Sequence, residues 1–192
     1  MPDSTYQFKI AIQEIRPPIW RRVRVPGSMS LEALHGVIQI AFGWSNSHLH
    51  EFKIGEESYG QPDELSEGEI LSERRVSVAG ALGKKTKRFV YTYDFGDDWR
   101  HEVVVEKVEP AGPGEDRVVC LGGKRHGPPD DCGGPWGYAE FLEAIRDPGH
   151  EQHDEMLEWI GGEFDPEEFD LAAVNKYVAT VKAPRSKRIR LP

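Results

Sequence analysis

Apolar and polar residues alternate at the start of the chain. Tyr6, Phe8, Ile10 and Ile12 interleave with Gln7, Lys9 and Gln13, the period of two required of a strand with one buried face. After the break at Arg16-Pro17-Pro18, a second alternation over residues 19–25 sets Ile19, Arg21, Val23 and Val25 against Trp20, Arg22 and Arg24. The two predict a hairpin or neighbouring strands. Pro26-Gly27 then turns the chain, and Ser30 is suited to cap a helix over 31–42. Leu31, Leu34, Val37, Ile38 and Ala41 form its apolar stripe, and Gly43 ends it.

A strand is expected over 48–54, with His48, His50 and Phe52 on one face. The acidic stretch 56–73 is rich in turn formers and reads as a surface loop, whereas 76–82 fits a short strand or a helical turn equally well. Residues 88–107 give the clearest hairpin signal. Phe89, Tyr91, Tyr93 and Phe95 alternate up to Gly96-Asp97, and Trp99, His101 and Val103 alternate after it. A two-residue type II′ turn there pairs Asp94 with Trp99 and Thr92 with His101; a one-residue bulge changes those partners. Residues 110–115 read as a Gly/Pro linker and 121–137 as a long irregular segment.

The last third is helical by pattern, with helices over 137–146 and 151–160 and a final one to 181. For the final helix Asp165 is the N-cap, Pro166 the first helical residue and Glu168 the capping-box partner. The expected architecture is α+β: a mainly antiparallel sheet with one helix packed on a face and a C-terminal helical group. A single domain is expected over 1–181, followed by a basic tail at 182–192.

Composition narrows the class of protein. At 192 residues the chain can bury a core without covalent staples. It contains no apolar run of about 20 residues that would span a bilayer, and its first residues lack the pattern of a secretory signal. The expectation is a cytoplasmic protein with no membrane contact. With only Cys120 and Cys132, a disulfide framework is excluded. The net charge of −9 argues against nonspecific coating of nucleic acid by the overall field.

Candidate chemistry lies in three places. His48, His50, Asp94 and His101 are candidate ligands for a divalent metal, with Asp98 as a candidate catalytic base; the same groups can instead organise the turn and bond to backbone. Cys120, His126 and Cys132, with five residues between neighbours, do not match the short spacing of paired zinc ligands, and Asp130 and Asp131 can cap the helix that follows. Trp20, Arg22 and Arg24 on one strand face, with Arg185, Lys187 and Arg188 in the tail, are candidate nucleic-acid contacts. The Gly133-Gly134-Pro135-Trp136-Gly137 run lacks the lysine of a P-loop and reads as a close-packed turn.

Five strings in order resemble the plasmid pRi open-reading-frame-three-like family, also labelled the TnpR insertion-element passenger family. They are RPPIWRRV at 16–23, LHGVIQIAFGW at 34–44 with HLHEF at 48–52, YTYDFGDDWRHEV at 91–103, PPDDCGGPWGY at 128–138 and FDPEEFD at 164–170. The resemblance implies an α+β domain associated with plasmids and mobile elements, and brings no catalytic mechanism. Serine-recombinase chemistry has no support, because Ser4 lacks an arginine-rich motif beside it. Two functions are thus expected in competition. One is a noncatalytic module binding nucleic acid or another protein; the other is a metal-dependent, hydrolase-like enzyme using the His/Asp cluster.

Overall fold

The structure, a computed structural model, describes residues 4–62, 70–112 and 117–181. Among the described residues, eight strands and five helices occur in the order β1 (Ser4–Ile12), β2 (Trp20–Pro26), α1 (Leu31–Phe42), β3 (His50–Ile54), β4 (Glu57–Gly60), β5 (Ile70–Ser72), α2 (Val78–Leu82), β6 (Arg88–Tyr93), β7 (Trp99–Pro110), β8 (Val119–Lys124), α3 (Gly134–Arg146), α4 (His153–Ile160) and α5 (Leu171–Val178). The strands form one sheet in the order β5-β4-β3-β6-β7-β1-β2-β8. Every pairing is antiparallel except β4 with β5. The fold is α+β, as the alternation predicts. Among the described residues no helix is long and apolar enough to cross a membrane.

The sheet buries one face. Phe8, Ile10 and Val23 on β1 and β2, Phe52 on β3, Tyr91 and Tyr93 on β6, and Val103 on β7 are all buried. Leu34, Val37 and Ile38 of α1 join the same cluster. The α1 bounds agree with the sequence reading. Ser30 Oγ accepts from the Ala33 N–H, and Gly43 closes the helix in the left-handed region at φ 85°, where glycine alone avoids a side-chain penalty.

Arg21 is the exception on that apolar face. Its side chain is buried, with the guanidinium between the rings of Phe42 (4.9 Å) and Phe169 (4.4 Å). Nε donates to the Ala41 carbonyl in the last turn of α1, and a terminal nitrogen donates to the carbonyls of Trp20 (2.8 Å) and Lys124 (3.0 Å). The negative end of the helix dipole and two aromatic faces compensate the charge. Burial still pulls its pKa down to about 10. One planar fork thereby ties α1 to β2 and β8.

A second polar group lies inside the core. His50 Nε2 meets Glu73 Oε2 at 2.7 Å with both side chains 1% exposed, and the His50 ring stacks on His35 at 3.4 Å. His35 in turn contacts the Tyr91 hydroxyl at 2.7 Å and Asn46 Oδ1 at 2.6 Å, and Gln39 donates to the same hydroxyl at 3.0 Å. His101 is fully buried against Phe42 and Trp44, with Nδ1 3.2 Å from the Tyr91 carbonyl.

Four expectations are corrected. The 88–107 hairpin turns through five residues, 94–98, so Tyr93 faces Trp99 and Tyr91 faces His101. Partners directly opposed in an antiparallel pair share a face, so the apolar sides of both strands coincide only in this register. The expected loop 56–73 contains β4 and β5 at its ends, and residues 63–69 lie outside the described set. The expected irregular segment 121–137 supplies most of β8 and the first turn of α3. The last helix begins at Leu171, capped by Asp170, because the stretch after Asp165 is held as a turn. His126 N–H donates to the Pro166 carbonyl at 3.0 Å, and Arg125 Nε to Glu167 at 2.7 Å.

The outer edge of β8 is bonded to a side chain. The Cys120 N–H donates to Asn175 Oδ1 and Asn175 Nδ2 donates to the Cys120 carbonyl, both at 2.9 Å, so α5 lies along that strand.

Two predictions follow from the buried polar groups. Replacing Arg21 with Ala leaves three carbonyls without donors and should cost about 3 kcal/mol or more in urea denaturation. R21K should recover only part, since an ammonium lacks the planar fork. Burial lowers the pKa of His35, with a further contribution from His50, and that of His101, in both cases to about 4. Both groups bind protons more readily unfolded, at about 6.5. Stability should therefore be retained above pH 6.5 and fall between 6.5 and 4, by on the order of 3 kcal/mol per histidine at the acid end. Denaturation curves across that range, with H101Q flattening the slope, check this.

Candidate functional site

Asp94 leaves β6 with φ 57°, a conformation that asparagine and aspartate tolerate better than other side-chain residues. Its Oδ1 accepts from the Gly96 N–H at 2.9 Å, and its carbonyl accepts from the Asp98 N–H at 2.7 Å. Its own N–H donates to the Leu49 carbonyl at 2.9 Å, which fixes the turn beside the chain entering β3. One carboxylate oxygen is thus committed to the turn. The other, Oδ2, points to His48 Nε2 at 3.6 Å.

The 126–138 segment packs against the same turn. Gly133 N–H donates to Asp97 Oδ2 at 3.1 Å, and a Cβ on Gly134 would run into the Asp97 carbonyl. At the segment's other end a Cβ on Gly127 would strike the Phe42 carbonyl. Trp44 Nε1 donates to the Pro128 carbonyl at 2.9 Å. Asp130 accepts from Ser45 N–H (3.0 Å), Ser45 Oγ (2.7 Å) and the Tyr93 hydroxyl (3.2 Å).

These contacts deliver Asp131, itself at φ 61°, to His48, with Oδ1 2.9 Å from Nε2. One nitrogen and two carboxylate oxygens, from His48, Asp94 and Asp131, lie within 4.8 Å of one another. His48 Nε2 is out of reach of solvent and makes no aligned hydrogen bond. Its contact with Asp131 is one of proximity. Asp94 is buried, His48 half-buried and Asp131 exposed, so the group opens to the surface through Asp131.

Of the predicted ligands, the structure brings together His48 and Asp94. His48 lies before β3, which starts at His50, so the two imidazoles do not share a strand face. His50 is held by Glu73 and His35, and His101 by the Tyr91 carbonyl, in the buried network described above. The exposed Asp98 lies 3.8 Å from Arg100 Nε. Trp20, Arg22 and Arg24 lie on the sheet face opposite α1. There Arg22 makes a two-pronged ion pair with Glu106 (2.6 and 2.8 Å), and Lys9 and Arg22 sit over the Trp20 ring at 5.5 and 5.2 Å. Hydrogen bonding with Glu106 raises the Arg22 pKa and lowers that of Glu106. Arg185, Lys187 and Arg188 lie outside the described residues.

The residue of this group that sequence reasoning did not single out is Asp131. Its signal is the Asp130-Asp131 pair within a Gly/Pro-rich run, where one carboxylate can anchor the loop and leave its neighbour free. The cysteines do not join the group. Cys120 is buried with Sγ toward the Gly122 carbonyl, and burial, helped by Asp97, pushes the Cys132 thiol up to about 12.

Comparison with known proteins places this architecture in a family. The chain is 40% identical to the uncharacterized protein y4hQ of Sinorhizobium fredii (strain NBRC 101917 / NGR234) over 192 residues, covering 99% of this chain and 98% of that protein. The crystal structure of MM3350, a protein of unknown function from Methanosarcina mazei Go1, superposes with a TM-score of 0.79 at 36% identity, over 89% of this chain and 97% of that one. The profile of the plasmid pRiA4b ORF-3-like proteins matches residues 4–173, and the chain belongs to that family.

Proposed function

We propose that this protein is a noncatalytic binding module that holds one divalent cation through His48, Asp94 and Asp131. The observation that carries the reading is His48 Nε2, screened from water, without an aligned hydrogen bond, and near carboxylate oxygens from two distant segments. An imidazole with two carboxylates suits ions of intermediate hardness such as Mn²⁺ or Zn²⁺. With three protein ligands the ion keeps open positions on the exposed Asp131 side, so a water or a partner's donor atom completes its shell. The cation would link the β3 entry, the hairpin turn and the 126–138 segment. It would offset the mutual repulsion of Asp94 and Asp131.

The association with mobile elements implied by the resemblance belongs to the same reading. A nucleic-acid partner is supported less by the strand face, where Glu106 already neutralises Arg22, than by the basic residues of the tail. The enzymatic alternative would need a base poised on the cation's open side, and Asp98 stands instead beside Arg100.

Calorimetric titration of EDTA-treated protein with Mn²⁺ and Zn²⁺ tests the reading. One ion per chain is expected, with affinity reduced at least about tenfold in H48A and in D131N. At an ion concentration of 100 times Kd, the wild type should gain about 2.7 kcal/mol of stability. Absence of binding by either ion, or binding that H48A leaves intact, would overturn it.

A further inference from the structure

Beyond the cation group, Asp131 borders two cavities of about 540 and 270 Å³ that share Asp131 and Trp159 in their linings. The larger has the size of a small-molecule site. A chain of ring contacts forms one wall: His126 on Phe164 at 4.7 Å, Phe164 on Phe141 at 5.3 Å, and Phe141 on Trp159 at 5.7 Å. Trp159 on α4 is 45% exposed, so part of its indole is open to a ligand. Asp130, Asp131, Glu140 and Glu163 complete the acidic part of the linings, with Asp130 bonded to Ser45 and Tyr93 and Asp131 directed to His48, and neither lining contains a lysine or arginine.

The two halves of this lining select the same ligand. A lining with four acidic residues and no lysine or arginine repels anions such as phosphate esters and attracts a positive charge. Aromatic faces add attraction for a cation within about 6 Å of a ring centroid, and most for indole. They also stack on a flat apolar body. Asp130 is fixed in place by Ser45 and Tyr93, and His126 Nδ1 is committed to the Gly127 carbonyl at 2.7 Å, so this side of the cavity is formed in advance. We infer that the double cavity between the 126–131 segment, α3 and α4 is a binding site for a small organic cation, an amidinium, guanidinium or ammonium group carried on a planar or apolar body. The site borders the three-ligand group through Asp131, whereas the aromatic wall, Glu140 and Glu163 take no part in that group.

Three isosteric probes separate charge from shape: benzamidine, neutral benzamide and anionic benzoate, titrated into the full chain in EDTA and followed by calorimetry and the indole N–H signals in NMR. Benzamidine should bind with one ligand per chain and shift the Trp159 indole signal. Benzamide should bind at least about tenfold more weakly and benzoate undetectably. E140Q combined with E163Q should weaken benzamidine about fivefold or more and flatten its salt dependence. W159A should weaken it about tenfold, with W159F, which keeps a ring and the packing on Phe141, in between. Equal binding of benzamide or benzoate, or an unmoved Trp159 signal, would each overturn the proposal.

Discussion

The approach of the Gly133-Gly134 backbone to Asp97 is the contact on which the candidate site depends. No side chain fits between the two segments at Gly134, and only because the approach is so close does Asp131 reach His48 across a gap of 83 positions in the chain. The hairpin turn prepares its half of the contact with two aspartates in the left-handed region, Asp94 and Asp98. Asp94 then serves two purposes at once: one oxygen organises the turn, and the other faces the imidazole. Structural and functional readings of that carboxylate are not alternatives in this fold.

Much of the fold was legible because one face of the sheet is buried and the other is not. Alternation located β1, β2, β6 and β7, and the Ser30 cap with Gly43 bounded α1. The hairpin register was legible in principle. Tyr91 and His101 both occupy apolar-parity positions, and a pairing that sets Asp94 against Trp99 breaks that parity; the preference for a two-residue turn at Gly96-Asp97 obscured it. β8 was hidden by Gly122 and Gly123, which strands usually avoid. At Gly123 a Cβ would press on Phe169 and the Arg21 side chain, so the glycine makes room for the buried guanidinium. The final helix carried a strong local start signal at Asp165, and long-range contacts from Arg125 and His126 overrode it.

The candidate site was half legible. His48 and Asp94 stand out as polar residues at the ends of strands, but alternation alone placed His50 and His101 among core residues, where the imidazoles are turned inward and, at His101, burial lowers the pKa. Asp131 was beyond the reach of local pattern. Its partner is set by tertiary docking, and nothing in its immediate neighbourhood distinguishes a ligand from a helix cap.

The Asn175 amide has a further consequence. An outermost strand ordinarily offers its free N–H and C=O groups to any extended chain that arrives, and large open sheets can thereby recruit copies of themselves. At Cys120 both groups are already bonded by a side chain that copies the donor and acceptor geometry of a peptide unit. At the opposite margin the last strand is three residues long. Asn175 thus occupies the β8 edge at Cys120, and the far side offers only a short template, so each margin carries its own obstacle to edge addition.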